Sequence, residues 1–564
     1  MKELLSRLLL LLAVLFLGAA CQVDDTIDGP TADDEFKISG VTEDLGVVAD
    51  GPVYEVSMEE HYQYIIEEFS GSNDEGDMAL VEMAENNLEA LQEYIKELEE
   101  QAGANDDYTG KNVYIGYKYT RILYNSIDEN NMPIQLSALV VWPNNKGPLF
   151  GALAPWADGL VIGCHITITD DKERPSNYKN MDWTTDVGML AMAAKTHGIT
   201  GGWGPAFENL VVIPDYQGYG ISKDRIHPYL YQELTARQVV DGVLAGIEYY
   251  KRDNKFESDW KTISMGYSQG GSVALAVHKY IEQNNLVDKL RFCGSFCGDG
   301  PYDPVATVQK YVKEDRIYMP VAVGLILKGM VDANPYIRGK YTAADFFTQK
   351  FLDTGIMGMI DRKDMDTGKI QSAFLNYSKQ HNLADGKFVM YCKSGNDFLP
   401  YTKDNMTDSK GNERSWDKGD AKVFAKASDV LLPEVFDWIN GKKSPKHTTK
   451  MTDFEKAMNM NVLTSDGWRP QKRAVLIHSD ADEVVPFENY VTVRDLFLNS
   501  YPFTGLIYEK SSKHYHVPFG TIFYAFLSDE GSARLFVGAY KRSAEAKTDY
   551  ANSTVLMNGW WGTY

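Results

Sequence analysis

The chain has 564 residues and is 44% hydrophobic, enough to bury a sizeable core. Its formal net charge of -23 repels the phosphates of nucleic acid, and no basic patch offsets it, so nucleic-acid binding is excluded. The five cysteines form no disulfide framework, and neither they nor the histidines show metal-ligand spacing.

The N-terminus places Lys2 and Arg7 before an apolar run that ends in small residues. Over 1–20 this is the pattern of a secretory signal, too short and wrongly flanked for a membrane span. Cys21 follows directly. The stretch "LGAAC" resembles a bacterial lipobox, although Gly18 stands where that motif prefers a larger aliphatic residue. The expectation is an exported bacterial lipoprotein, acylated at Cys21 and anchored in a membrane, the outer one, on its periplasmic or cell-surface face. Each buried CH₂ contributes roughly 0.8 kcal/mol, so several acyl chains anchor stably. Residues 21–55 read as an acidic, unstructured tether.

Residues 56–109 read as a helical extension: Leu80, Met83, Leu88, Leu91 and Ile95 recur at helical spacing with acids between them. From 110 the pattern changes. "NVYIGYKYTRILYN" and "IQLSALVVWP" alternate like antiparallel strands around a polar turn. "PLFGALAPWADG" reads as a buried strand, "TTDVGMLAMAAKTHG" as a helix stopped by Gly198, and "ENLVVIPDYQGYG" as a second buried strand with its turn. A helix over "TARQVVDGVLAGIEYYKRD" leads to "KTISMGYSQGGSVALAVHKY", and then to the apolar run "LRFCGSFCGDG". Cys293 and Cys297 lie in that run, four residues and roughly 13 Å apart along a strand, beyond disulfide reach. With Cys164 and Cys392 they read as small buried side chains.

Strand and helix alternate, which implies a mostly parallel central sheet flanked by helices, an α/β class. The alternation stops near 303 and resumes near 472 with "KRAVLIHSDADEVVP", a helix, the strand "TGLIYEK" and a further helix. The sheet domain is thus expected over 110–302 and 472–550. The insertion over 303–471 is far too long for an unstructured connection and reads as a helical cap.

Gly266-Tyr267-Ser268-Gln269-Gly270 fits G-x-S-x-G in the strand–turn–helix setting that the motif needs. A Cβ at either glycine would collide with neighbouring backbone in so tight a turn. Ser268 is thereby pushed out at the carboxyl edge of the sheet as a candidate nucleophile. The amide of Gln269, opening the helix, can face a developing oxyanion. A serine needs a base, and the base needs an orienting acid, in the chain order serine, acid, histidine. Asp482 opens D-x-x-V-P after an apolar strand and is the expected acid, with Asp480 and Glu483 as rivals. His516 is the expected base and His514 its rival. A second oxyanion donor is expected as a backbone N–H near Asp158.

"GYSQGG", "VVIPDYQGYG", "FCGDGPYDP" and "HSDADEVVP" together resemble the α/β-hydrolase superfamily, and within it bacterial lipoprotein esterases related to secretory lipases. The resemblance spans about 110–535. It implies a Ser-Asp-His triad, no cofactor, no metal, and a helical cap after the sixth strand. Two departures stand out: Asp158-Gly159 where that family often has His-Gly, and the N-terminal extension. The implied activity is ester hydrolysis through an acyl-enzyme, on a lipid ester or an acyl group of a glycan. Met330, Phe346, Phe347, Met357 and Met359 of the cap are candidate acyl-pocket residues against a plain role in the cap core. The alternatives are a serine peptidase of the same superfamily and a non-catalytic binding lipoprotein on a hydrolase scaffold.

Overall fold

The computed structural model describes residues 37–38, 46–71, 75–103, 114–146, 157–178, 186–194, 209–394, 397–407, 410–412, 423–479, 482–497, 503–509 and 553–558. The expected signal segment and Cys21 lie outside them. The first strands are β1 (Lys37–Ile38), β2 (Val47–Asp50) and β3 (Tyr54–Ser57), followed by helices α1 (Met58–Phe69) and α2 (Glu75–Gly103). Next come β4 (Tyr114–Ile127), β5 (Pro133–Lys146), β6 (Ala157–Cys164), α3 (Asp186–Ala191), β7 (Asn209–Pro214), α4 (Gln232–Tyr250), β8 (Phe256–Tyr267), α5 (Gln269–Gln283) and β9 (Phe292–Gly298). The insertion carries α6 (Pro304–Glu314), α7 (Pro320–Ala333), α8 (Thr367–Gln380) and α9 (Thr448–Met460), and the strands β10 (Met390–Ser394), β11 (Asp397–Tyr401) and β12 (Val423–Phe424). The chain returns with β13 (Arg473–Ser479), α10 (Glu488–Phe497), β14 (Phe503–Glu509) and β15 (Ser553–Asn558).

One sheet of 12 strands runs β1-β2-β4-β5-β7-β6-β8-β9-β13-β14-β15, with β3 also paired to β4. From β7 onward every neighbouring pair is parallel, and the strands at the N-terminal side are antiparallel. The buried strands alternate between two cores because successive side chains point to opposite faces. Val161, Val211, Ile213, Ile263 and Met265 face one core; Leu160, Ile162, Leu210 and Val212 face the other, against α4, α5 and α10. A sheet buried on both faces reads as continuous apolar runs, which is how β6, β7 and β9 appear in the sequence.

The N-terminal extension has a structural role that the resemblance did not supply. Met58, Tyr62 and Ile65 of α1 and Ala84, Leu91 and Leu98 of α2 pack on Ile115, Tyr117, Leu139 and Val141. Helix α1 starts at a capping box in which Ser57 Oγ accepts from the Glu60 amide and the Glu60 carboxylate accepts from the Ser57 amide. The expected tether is corrected in part: Val47–Asp50 pairs with β4 and Val47 and Ala49 are buried, so these residues belong to the sheet. At the other end, β15 carries the sheet beyond position 550.

The insertion has its own core, with Phe346, Phe347, Phe351, Phe374 and Phe388 at its centre. It is not purely helical: β11-β10-β12 form a small antiparallel sheet within it. It is fastened to the sheet domain by Asn489, whose Oδ1 accepts from the Asp303 amide and whose Nδ2 donates to Thr307 Oγ1 at 2.8 Å. Tyr311 adds a hydrogen bond from its hydroxyl to the Val484 carbonyl. Among the described residues, no helix is long and apolar enough to cross a membrane.

Candidate active site

Strand β8 ends at Tyr267 and α5 starts at Gln269, so a single residue, Ser268, makes the turn. Its backbone sits at φ 54° and ψ -124°, a region that a side-chain-bearing residue enters only under constraint. The constraint is visible around it. The Ser268 amide donates to the Gly298 carbonyl at 2.8 Å, and the Ser268 carbonyl takes the amide of Ser272 as the helix starts. A Cβ on Gly266 would lie 2.4 Å from the Cys164 carbonyl oxygen, and one on Gly270 would lie 2.0 Å from the same atom. Both glycines let the start of α5 pack directly on the end of β6. The steric reading of the motif is therefore met by named atoms.

Ser268 lies on the wall of a cavity of about 150 Å³ at the carboxyl edge of the parallel strands. Ile166, Thr167, Tyr229, Leu230, Val484 and Val485 line it from the sheet domain, and Tyr311, Met319, Ala322 and Ile326 from the insertion. Gln269 is buried beside this edge, its side-chain amide 3.4 Å from His227 Nε2. Burial holds His227 down at about 3 and His165 at about 4, so both imidazoles are neutral at physiological pH.

Asp482 stands three residues beyond β13 and is 7% exposed. Its Oδ1 accepts from the amides of Val484 and Val485, both at 2.8 Å. These are the same two residues that wall the cavity, so the acid and the serine flank one space. Glu483 is partly exposed, and Asp480 lies outside the described residues. His514 and His516 also lie outside them. Strand β14, which precedes both, runs parallel to β13 and ends at Glu509 on the edge that carries Ser268.

The Asp158 expectation is corrected. The apolar run was expected to end there, but β6 runs Ala157–Cys164, with Gly159 beside Lys261 and Cys164 beside Gly266. Asp158 is thus the second residue of the strand. Six residues of rise, roughly 20 Å, separate it from the carboxyl edge, too far for its amide to serve Ser268. The loop that follows the strand is His165-Ile166-Thr167, and Ile166 and Thr167 line the cavity. His165 stacks on Tyr216 with ring centroids 3.9 Å apart. The acyl-pocket candidates of the cap are also relocated. Met330, Phe346 and Phe347 are buried in the insertion's own core, and Met357 and Met359 pack against it.

Three acids were missed. Asp186 opens α3 on the cavity wall, where its Oδ2 accepts from the Ile166 amide at 2.8 Å. Burial pushes its carboxyl up to about 7. Asp215, after β7, is buried among Ser137 and Ser176, and burial raises it to about 6. Asp299, directly after β9, lies against His478 and Asp482 with one nitrogen or oxygen of each within 4.8 Å of the others. Backbone amides occupy Asp299 Oδ1 and Asp482 Oδ1, and His478 Nε2 meets the Val485 carbonyl at 2.9 Å. That is an internal network more than a cage for a cation. The available signal was positional: each acid directly follows an apolar strand or opens a helix at the carboxyl edge.

No family model matches the sequence, and no curated protein matches it. Solved structures do. The cell-wall-degrading esterase LipA of Xanthomonas oryzae aligns at 15% identity with a TM-score of 0.52, covering 75% of this chain and 93% of that one. The chain has the α/β-hydrolase fold. Lipase A of Candida antarctica aligns more distantly, at 13% identity and a TM-score of 0.46 over 79% of this chain and 81% of that one. The α/β-hydrolase fold is what the four motif stretches implied, including the strand–turn–helix at Ser268.

Two outcomes follow from this geometry. Gly270→Ala forces a methyl group onto the Cys164 backbone, which has no room to yield, and is expected to cost about 3 kcal/mol or more in urea denaturation. Asp186→Asn is expected to stabilise the protein increasingly as pH rises. With a folded value of about 7 against an unfolded one of about 3.9, the wild-type carboxyl costs nothing below pH ~4. Its stability contribution is then lost up to pH ~7, by about 4 kcal/mol at most. Unfolding midpoints of the two proteins at about pH 4.5 and about pH 8 measure the widening gap.

Proposed function

We propose that the chain is a serine carboxylic-ester hydrolase working through an acyl-enzyme. The observation that carries this is the strained Ser268 turn on the wall of an apolar cavity, with Asp482 beside the same cavity. In this reading Ser268 Oγ attacks the ester carbonyl while His516, or its rival His514, takes the proton. Asp482 fixes the imidazole tautomer and stabilises the imidazolium. The Gln269 amide, among the unpaired N–H groups at the start of α5, takes the oxyanion. The second donor passes from Asp158 to the His165-Ile166-Thr167 loop. The imidazolium then protonates the leaving alcohol, and water hydrolyses the acyl-enzyme.

The cavity bears on the acyl group. An apolar cavity of ~150 Å³ accommodates a benzene-sized guest, so an acyl portion of about six carbons or an aromatic one fits within it. Such groups are carried by glycans as well as by small esters, and the fold relative LipA is described as an esterase that degrades rice cell walls. An acyl group on a glycan is therefore the preferred substrate within this proposal. The N-terminal signal and acylated Cys21 remain part of it, placing the enzyme on an exported membrane surface.

Ser268→Ala is expected to abolish fluorophosphonate labelling and p-nitrophenyl ester turnover by at least ~10⁴-fold, with an unchanged thermal midpoint. His516→Ala should match it and His514→Ala should not. Wild-type turnover of aminoacyl anilides in preference to esters would favour the peptidase reading. A wild type that neither labels nor turns over would favour the binding scaffold. In an acyl-length screen, activity is expected to peak near butyryl to hexanoyl or benzoyl esters and to fall for palmitoyl. Ala322→Phe, which fills the cavity from α7, should lower kcat/KM for hexanoyl esters roughly tenfold or more while sparing acetyl esters.

A further inference from the structure

Strands β9 and β13 are parallel neighbours in a register that sets Arg473 beside Gly294 and Ile477 beside Gly298. The residues that follow, Asp299 and His478, are therefore brought together at the carboxyl edge. Asp299 is fully buried and is held from three sides. Its amide donates to the Ile477 carbonyl at 2.9 Å, its Oδ1 accepts from the Ser479 amide at 2.8 Å, and His478 Nδ1 lies 3.6 Å from the same oxygen. Its backbone has φ 40°, the left-handed region that aspartate enters more readily than most residues but still at a cost. Such a conformation persists where the surroundings enforce it.

What the buried carboxyl faces is Asp482. The two carboxyl groups lie side by side, with an oxygen of each within 4.8 Å, and burial together with the charge of Asp482 lifts Asp299 well above the ordinary carboxylate range. A carboxyl held up in this way keeps its proton, so Asp299 presents a neutral O–H beside Asp482. Asp482 Oδ1 takes the amides of Val484 and Val485, and the Asp299 carboxyl lies beside the same group on the side of the sheet. His478 packs between them, its Nε2 3.9 Å from Asp482 Oδ2.

We propose that Asp299 is a positioning residue for the proposed reaction: its carboxyl donates a hydrogen bond to Asp482 and so fixes the plane in which Asp482 meets the catalytic imidazole. This rests on the reading of Asp482 as the acid of a Ser-His-Asp triad. It gives the aspartate of "FCGDG" a role that the triad alone leaves without one. A neutral donor here orients the acid without adding a second negative charge beside it. A misplaced acid would leave the substrate site intact and slow the chemical step.

The test is Asp299→Leu against Asp299→Asn in the full chain. Active sites are counted by fluorophosphonate labelling, and kcat and KM are measured on p-nitrophenyl butyrate. Asparagine keeps both a donor toward Asp482 and an acceptor for the Ser479 amide; leucine keeps neither. Expected for the leucine variant is a kcat roughly ten- to a hundredfold lower per labelled site, at a KM within about twofold of wild type. The asparagine variant should stay within about threefold on both. A leucine variant with wild-type kcat overturns the proposal. Should the leucine variant not fold, Asp299→Gln takes its place, because the amide is then displaced by one methylene; equal kcat for Gln and Asn overturns the proposal as well. A wild type that neither labels nor turns over ester removes the hydrolase reading and this inference with it. An active wild type with an indifferent Asp299→Leu removes only this inference.

Discussion

The contact on which the rest of this structure depends is the close approach of α5 to the end of β6 beneath Ser268. The Cys164 carbonyl lies where a Cβ at position 266 or 270 would have to be. With no side chain at either position, the helix starts one residue after the strand ends. That residue can only reverse the chain by taking a positive φ. The turn thus holds a strained backbone on the wall of the cavity, and the acid loop and the cap are arranged around it.

The carboxyl edge is otherwise unusual for the number of acids taken out of water. Asp186, Asp215 and Asp299 are all buried there, and burial raises each above the ordinary carboxylate range. Every one receives backbone or hydroxyl donors, as a buried polar group requires. These acids bind loops to strands: Asp186 holds the Ile166 amide, Asp215 the Ser176 amide, and Asp299 the Ser479 amide. The edge is fixed by hydrogen bonds to carboxyls because loops present amides there, and amides left unpaired under a cap would each cost a few kcal/mol.

Two additions frame this edge. The N-terminal helices cover the sheet face that carries Ile115, Tyr117, Leu139 and Val141, apolar area that water would otherwise meet at about 25 cal/mol per Å². The insertion has an aromatic core that Tyr229 and Leu230 of the sheet domain join, and polar ties from Asn489, Tyr311, Lys363 and Thr169, among others, fasten it to the sheet domain. Phe346 and Met330 lie inside that core, while Tyr311, Met319, Ala322 and Ile326 of the insertion line the cavity that holds the serine.

Much of this was legible in the residues themselves. Apolar runs at β6, β7, β9 and β13 report a sheet buried on both faces, and 3.6-residue periodicity reports α2 and α4, because both signals are local consequences of which face meets water. The G-x-S-x-G turn was legible because its steric demand falls on residues two positions apart. Asp158 was misplaced because an apolar run does not mark where its strand begins, and only pairing with β8 set that register. The β-character of Val47–Asp50 and the small sheet in the insertion were hidden in the same way, since both depend on distant partners. The sequence by itself determined the strand–helix alternation and the tight turn at Ser268, both of which follow from neighbours along the chain. Only the tertiary structure decided which loop backs the serine, which residues line the cavity, and that Asp299 lies against Asp482. Those depend on strands 180 residues apart in sequence lying side by side, and no local pattern encodes that distance.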